Sequence, residues 1–216
     1  MYSDSLLITL TDNSWLYRGF SALLPDMVNV HLRFNDKGVP DIIRNSSKIY
    51  ILVDCRIIFN GVWDSYNTLI NLRPDSTVIW LTRMETGRIF PQGRKGDKSL
   101  AQNLDVVSLK KILKRITKNA NDTKHVNKLK NISLTLTERK LLSFFASKLS
   151  IYAISRLTNK SPKTLYIHRQ NILGKLGLRH TAFLQFVFQH SPWLLNSSIA
   201  QNTTERGANW KDSSDC

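Results

Sequence analysis

The spacing of apolar residues changes along the chain, and each spacing predicts an element. Residues 6–10 (LLITL) are a short apolar run closed by turn-prone Thr11-Asp12-Asn13, which reads as a buried strand. Residues 14–24 have helical spacing, with Trp15, Leu16, Phe20, Leu23 and Leu24 on one side, and Pro25 stops the helix. Residues 27–34 alternate as a strand does, and 49–53 (IYILV) and 77–81 (TVIWL) are continuous apolar runs of the kind buried on both faces of a sheet. A weaker helix is predicted over 62–72, ended by Pro74. Gly87, Pro91, Gly93 and Gly96 argue against a good helix in 83–97. A last strand is predicted over 98–103 and an amphipathic helix over 105–116. Strands alternating with helices predict a doubly wound parallel sheet with helices on both sides, occupying residues 1–116.

The pattern then changes. Residues 117–132 are polar and basic without an apolar period, and read as a linker. Residues 133–196 are helical again, an all-α four-helix unit. Thr135 and Glu138 have the spacing of a capping box, and Leu141, Leu142, Phe145 and Leu149 give the helix that follows one apolar face. Ser150 caps a short second helix with Ile151, Ile154 and Leu157 inward, and Thr158-Asn159-Lys160 forms a tight turn. Ser161 as cap and Pro162 in the first position open a third helix, 162–176, which Gly177 ends. A fourth runs over about 180–190. Residues 197–216 are rich in Asn, Ser and Thr and read as a disordered tail, Trp210 aside.

Charge sharpens this division. Residues 1–107 carry 12 Lys/Arg against 11 Asp/Glu, residues 108–180 carry 17 against 2, and residues 181–216 carry 2 against 3. A neutral module joined to a strongly basic one points to a polyanion as the partner of the basic part. Cys55 and Cys216 make neither a disulfide framework nor a metal site. With no targeting segment and no apolar stretch of bilayer-spanning length, the expectation is a soluble, cytoplasmic protein that does not engage membranes. No catalytic triad, metal-ligand cluster or phosphate-binding glycine loop is present, so neither enzyme activity nor a cofactor is expected.

The third helix has two faces. Leu165, Ile172 and Leu176, with His168 beside them, lie on one; Lys163, Tyr166, Ile167, Gln170 and Gly174 lie on the other. The outer set supplies an amide, a phenol, an aliphatic side chain for the thymine methyl group and a cation, which is what reading a major groove requires. Its N-terminal end, with Lys160, Lys163 and Thr164, is suited to a phosphate, and Arg169 and Lys175 add cations for the DNA backbone. His168 reads as a packing or phosphate-facing residue rather than a metal ligand. The run Leu134-Thr135, Glu138, Leu141-Leu142, Ala146, Ser150, Ile154, Ser161, Thr164-Leu165, His168, Asn171-Ile172 and Lys175-Leu176-Gly177 resembles the LuxR/FixJ-type helix-turn-helix domain, without a gap. The resemblance implies double-stranded DNA as partner, major-groove binding by the third helix, and dimerisation through the fourth. The apolar surplus there, Phe183, Leu184 and Val187, is then the dimer seam, in a homodimer or in a heterodimer with a related regulator. Three positions depart from the family. Lys148 stands where glycine is usual, Thr158 where an apolar residue is usual (with Leu157 as its replacement), and Tyr166 where lysine is frequent.

The N-terminal region is similar to the receiver domains of response regulators. IYILVD places Asp54 where receivers carry the phosphoacceptor aspartate, VIWLT places Thr82 at the hydroxyl position, and Asp12 stands for one of the usual acidic pair. Thr11 replaces the other acidic residue, and the place of the lysine falls on Asn103, with Lys95 and Lys98 nearby. The resemblance therefore implies a degenerate pocket in a bacterial transcription regulator that works without phosphorylation, akin to auxiliary regulators of surface structures. Two alternatives stay open: a phosphorylation-controlled response regulator acting through Asp54, and a heterodimerising auxiliary regulator that binds DNA weakly by itself.

Overall fold

The computed structural model describes residues 5–83, 86–87, 89–91, 97–101, 103–118, 127–128 and 134–199. Most of the expected linker, Lys95, Trp210 and the tail beyond Ile199 lie outside these residues.

The first half alternates strands and helices as its apolar runs require: β1 (Ser5–Leu10), α1 (Ser14–Leu23), β2 (Val28–Leu32), α2 (Ile42–Asn45), β3 (Lys48–Asp54), α3 (Arg56–Asn60), α4 (Asp64–Leu72), β4 (Thr77–Thr82), β5 (Lys98–Ala101) and α5 (Val106–Lys118). Among the described residues the strands form one sheet in the order β2-β1-β3-β4-β5, all parallel, extended by β6 (Asn127–Lys128), which pairs antiparallel with β5. The expected linker therefore includes a short strand that covers an otherwise open sheet edge. Registers Leu10↔Val53, Asp54↔Leu81 and Thr82↔Ala101 align the carboxyl ends of the central strands, the place where doubly wound sheets build their sites.

Alternate strand residues feed two cores. Leu7, Tyr50, Leu52, Ile79, Leu81 and Leu100 pack under α1 and α5. Leu6, Ile8, Leu10, Ile51, Val53, Val78 and Trp80 face the other way, into a core that continues through Trp63 to the C-terminal helices. Trp15, expected on the inner side of α1, is 78% exposed and lies under the Arg18 guanidinium, because helical spacing alone cannot say where an apolar stripe ends.

The second half folds as α6 (Leu136–Ala146), α7 (Ile151–Thr158), α8 (Pro162–Leu176), α9 (Thr181–His190) and α10 (Pro192–Ile199). The last was not expected and runs past the predicted boundary at 196, although Ser191-Pro192 repeats the Ser161-Pro162 signal that opens α8. Short helices α2 and α3 were also missed. Gly61, at φ 68°, ends α3 in the left-handed conformation that favours glycine.

The halves are packed together. Phe59 lies against Phe183 and Phe186 (ring centroids 5.1 and 5.6 Å apart), and Trp63 meets Trp193 edge-on at 5.0 Å. No helix forms among the described residues of 83–97. Instead Gly87, at φ +55°, approaches the end of α8 so closely that a Cβ there would lie 2.5 Å from the Leu176 carbonyl oxygen and 3.0 Å from that of Gly177. Only a residue without a side chain fits this seat.

Candidate nucleic-acid interface

Local chemistry sets the position of α8. The Thr135 hydroxyl accepts the Glu138 N–H (3.2 Å) while the Glu138 carboxylate accepts the Thr135 N–H (2.7 Å), so the predicted capping box closes. Glu138 is buried and also accepts a hydrogen bond from Lys175 at 2.6 Å, which ties α6 to the last turn of α8. Burial pushes its pKa up, but the bonds from Lys175 and Thr135 outweigh this and hold it below the ordinary carboxylate value. Ser150 caps α7 by accepting the Ala153 N–H, and Asn159 takes the left-handed conformation (φ 52°) at the predicted turn. Across that turn Ser155 donates to the Lys160 carbonyl at 2.7 Å. Ser161 accepts the Thr164 N–H at 3.1 Å, Pro162 begins the helix, and Gly177 (φ 71°) ends it, with the Leu178 N–H returning to the Leu173 carbonyl.

These fixtures bury Leu165, Ile172, Leu173 and Leu176 completely or nearly so. The opposite face is open: Lys163, Thr164 and Gln170 are exposed, Tyr166 and Ile167 are 48% and 55% exposed, and no atom lies within 4 Å of a Cβ built on Gly174. The structure thus brings six of the predicted positions onto one surface. Arg169 joins them from the side, half-buried, its guanidinium stacked over the Tyr166 ring at 4.6 Å and its Nε without a hydrogen-bond partner. Lys160 is half-buried at the N-terminal end. Lys175 stands apart from this set, since its ammonium is held by Glu138.

Three sequence readings need correction. Leu157 is 64% exposed and does not replace the usual apolar residue; Thr158, half-buried, donates to the Ile154 carbonyl instead. Leu149 lies beyond the end of α6 and is exposed rather than part of its apolar face. Leu184 and Val187 are fully buried in this chain's own core, and Phe183 is engaged by Phe59, so in this arrangement the three do not form a free dimer seam. The fourth-helix apolar surplus has a partner the sequence did not reveal, the N-terminal region.

The strand-end polar groups are bonded within the protein. Asp54, 1% exposed, accepts the Thr11 hydroxyl at 2.8 Å and the Arg56 N–H at 3.1 Å. The Asp12 carboxylate is taken by the Phe34 N–H and the Asn60 amide. Thr82 donates to the Leu100 carbonyl, and Asn103 lies exposed in the turn before α5. Lys98 opens β5 opposite Ile79, away from the strand ends, so it does not supply the missing lysine. Among the described residues no cluster of three or more His, Cys, Asp or Glu could hold a metal ion.

No known family model and no curated protein matches the sequence. Solved structures do. The two-component response regulator RcsB in complex with DNA superposes with a TM-score of 0.59 at 16% identity, over 86% of this chain and 98% of that one. The chain shares the fold of RcsB. RcsB from Salmonella enterica serovar Typhimurium, bound to promoter P1flhDC in the presence of phosphomimetic BeF3-, gives 0.59 at 16% identity over 90% and 99% of the two chains. The same protein bound to promoter rprA gives 0.57 at 15% over 86% and 98%. This fold joins a receiver-like α/β domain to an all-α helix-turn-helix domain, as the sequence predicted.

Proposed function

We propose that this chain is a sequence-specific DNA-binding transcription regulator in which α8 enters the major groove. One observation carries the reading. Among the described residues of 134–199 the only carboxylate, Glu138, is buried and paired, so every exposed charged side chain of these helices is a cation. Gln170, Ile167 and Tyr166 are the base-reading residues; Lys163, Thr164 and the α8 N-terminus hold phosphate, with Lys160 and Arg169 beside them. Lys175 serves the fold first, through Glu138. The test is duplex binding by selected and random sequences at several salt concentrations. Gln170→Ala should flatten the preference between them. Lys163→Ala should weaken both and reduce the salt slope by about one unit. Equal losses on both duplexes for both variants would remove these assignments.

The receiver-like domain works in this reading without phosphorylation. Thr11 supplies a hydroxyl where a magnesium site needs a carboxylate, and it occupies one of the two Asp54 carboxylate oxygens. Incubation with a small phosphodonor and Mg²⁺ should leave the intact mass unchanged. A phosphoryl adduct that disappears in Asp54→Ala would overturn this part and favour control by phosphorylation. Control of surface-structure genes rests on the sequence resemblance alone, and genome-wide mapping of bound DNA tests it.

A further inference from the structure

The apolar and basic residues of α5 occupy opposite sides of the helix. Leu113 and Ile116 are fully buried against the sheet, with Leu109 and Ile112 beside them. Lys110, Lys111, Lys114 and Arg115 lie roughly opposite, as two columns four residues apart, the first two exposed and the others half-buried. Like charges at that spacing oppose one another and weaken the helix that carries them. The sequence of the helix offers no relief. No acidic residue occurs between Asp105 and Asp122, and Asp105 is spent on the helix start, where it accepts the Ser108 N–H. Among the described residues none of the four cations has an ion pair or hydrogen bond. The rod that presents them is fixed: the Tyr50 hydroxyl on β3 donates to the Thr117 carbonyl at 3.0 Å.

The position of this stripe separates it from the base-reading face. The helix α5 covers the sheet side fed by Leu7, Leu52 and Ile79, whereas α6–α10 join the core on the side fed by Ile8, Ile51 and Trp80. A duplex lying on α8 does not explain four unpaired cations across the sheet. We propose that the solvent face of α5 is a second, sequence-independent track for the DNA backbone, holding a stretch of duplex other than the one α8 reads. The proposal rests on the DNA-binding reading above and extends it to the receiver-like half. Charge complementarity selects the occupant, because two parallel columns of cations without an acceptor among the described residues suit a row of phosphates.

The experiment uses the full chain with Lys110, Lys111, Lys114 and Arg115 all changed to Gln, a good helix former that stays polar and removes charge. Beads carrying the duplex selected by the wild-type chain are loaded with protein, and a labelled random duplex is offered. Wild type should capture the second duplex with a steep salt dependence. The Gln variant should bind the bead duplex with unchanged sequence preference, and its salt slope for random duplex should fall by roughly three to four units. Lys110→Gln with Lys114→Gln alone should lose about half of that, a graded response that a misfolded protein would not give. Capture and slope equal to wild type in the Gln variant would overturn the proposal while leaving α8 as the reader, as would a stripe that serves an acidic protein. Failure of wild type to bind any duplex would instead take down the DNA reading, and this inference with it.

Discussion

Two surfaces of this chain gather candidate functional groups, and they are in opposite states. On α8 the side chains that could meet a ligand do not bond the rest of the protein: Lys163, Gln170 and Ile167 face outward. Around Asp54 each chemical group has been answered from within, by Thr11, Arg56, Phe34 and Asn60. A hydrogen bond made inside the protein is one that a ligand must displace, so the first surface is open to a ligand and the second is internally bonded. The lesson is that a site survives in the bonds it leaves unmade. Asp54 keeps its place at the end of β3, but the Thr11 hydroxyl and the Arg56 N–H bond its oxygens.

The contrast can be broken by exchanging the burial states within α8. Ile172→Ala removes a fully buried side chain and should cost about 2–5 kcal/mol, with loss of sequence-specific duplex binding. Gln170→Ala should leave stability within roughly 0.5 kcal/mol while changing sequence preference. Equal melting temperatures for the two variants would refute the assigned faces.

A somewhat smaller effect is expected where the two halves meet. Gly87→Ala places a Cβ against the Leu176 carbonyl in a backbone conformation that disfavours side chains, and should cost on the order of 1–3 kcal/mol. Since Phe59, Trp63 and Gly87 hold the same junction, the readout is the unfolding curve. Wild type should melt in one transition and the variant should separate the C-terminal helices into an earlier one. Retention of a single unshifted transition would show that the close approach does not hold the halves together.

Glu138 supplies a pH handle on the same helices. Its folded pKa is depressed, so the stabilisation is fully present above its unfolded value near 4.5 and is lost as pH falls through the lower folded value. Acid unfolding monitored on the C-terminal helices should shift in Glu138→Gln, which no longer titrates, and superimposable acid transitions would contradict the assignment. The smallest effect concerns Lys148, which holds φ 63° between α6 and α7. Lys148→Gly should stabilise the chain by about 1 kcal/mol, since glycine adopts that conformation without a Cβ penalty. A destabilised variant would mean that the lysine makes a contact worth more than its strain.

Much of this architecture could be read from local signals. The strands of 6–10, 49–53 and 77–81, the capping box at Thr135 and Glu138, and the Ser161-Pro162 opening with the Gly177 close all act within a few residues, so periodicity and capping residues reveal them. The outward set on α8 follows from the same helical geometry once its ends are known. The replacement of an acidic residue by Thr11 and the charge excess in 108–180 were also visible in one dimension.

What required tertiary structure was the choice of partner. Phe183, Leu184 and Val187 announced an apolar surplus, but whether another chain or Phe59 of the same chain covers it depends on residues more than a hundred positions apart. The diversion of Lys175 to Glu138, the seat of Gly87 under α8, and the separation of the α5 cations from α8 by the sheet are likewise long-range. Local pattern determines which residues must leave water, because burial and backbone geometry act over a few positions. Which surfaces then meet is decided by packing of the whole chain, and no short-range pattern encodes it.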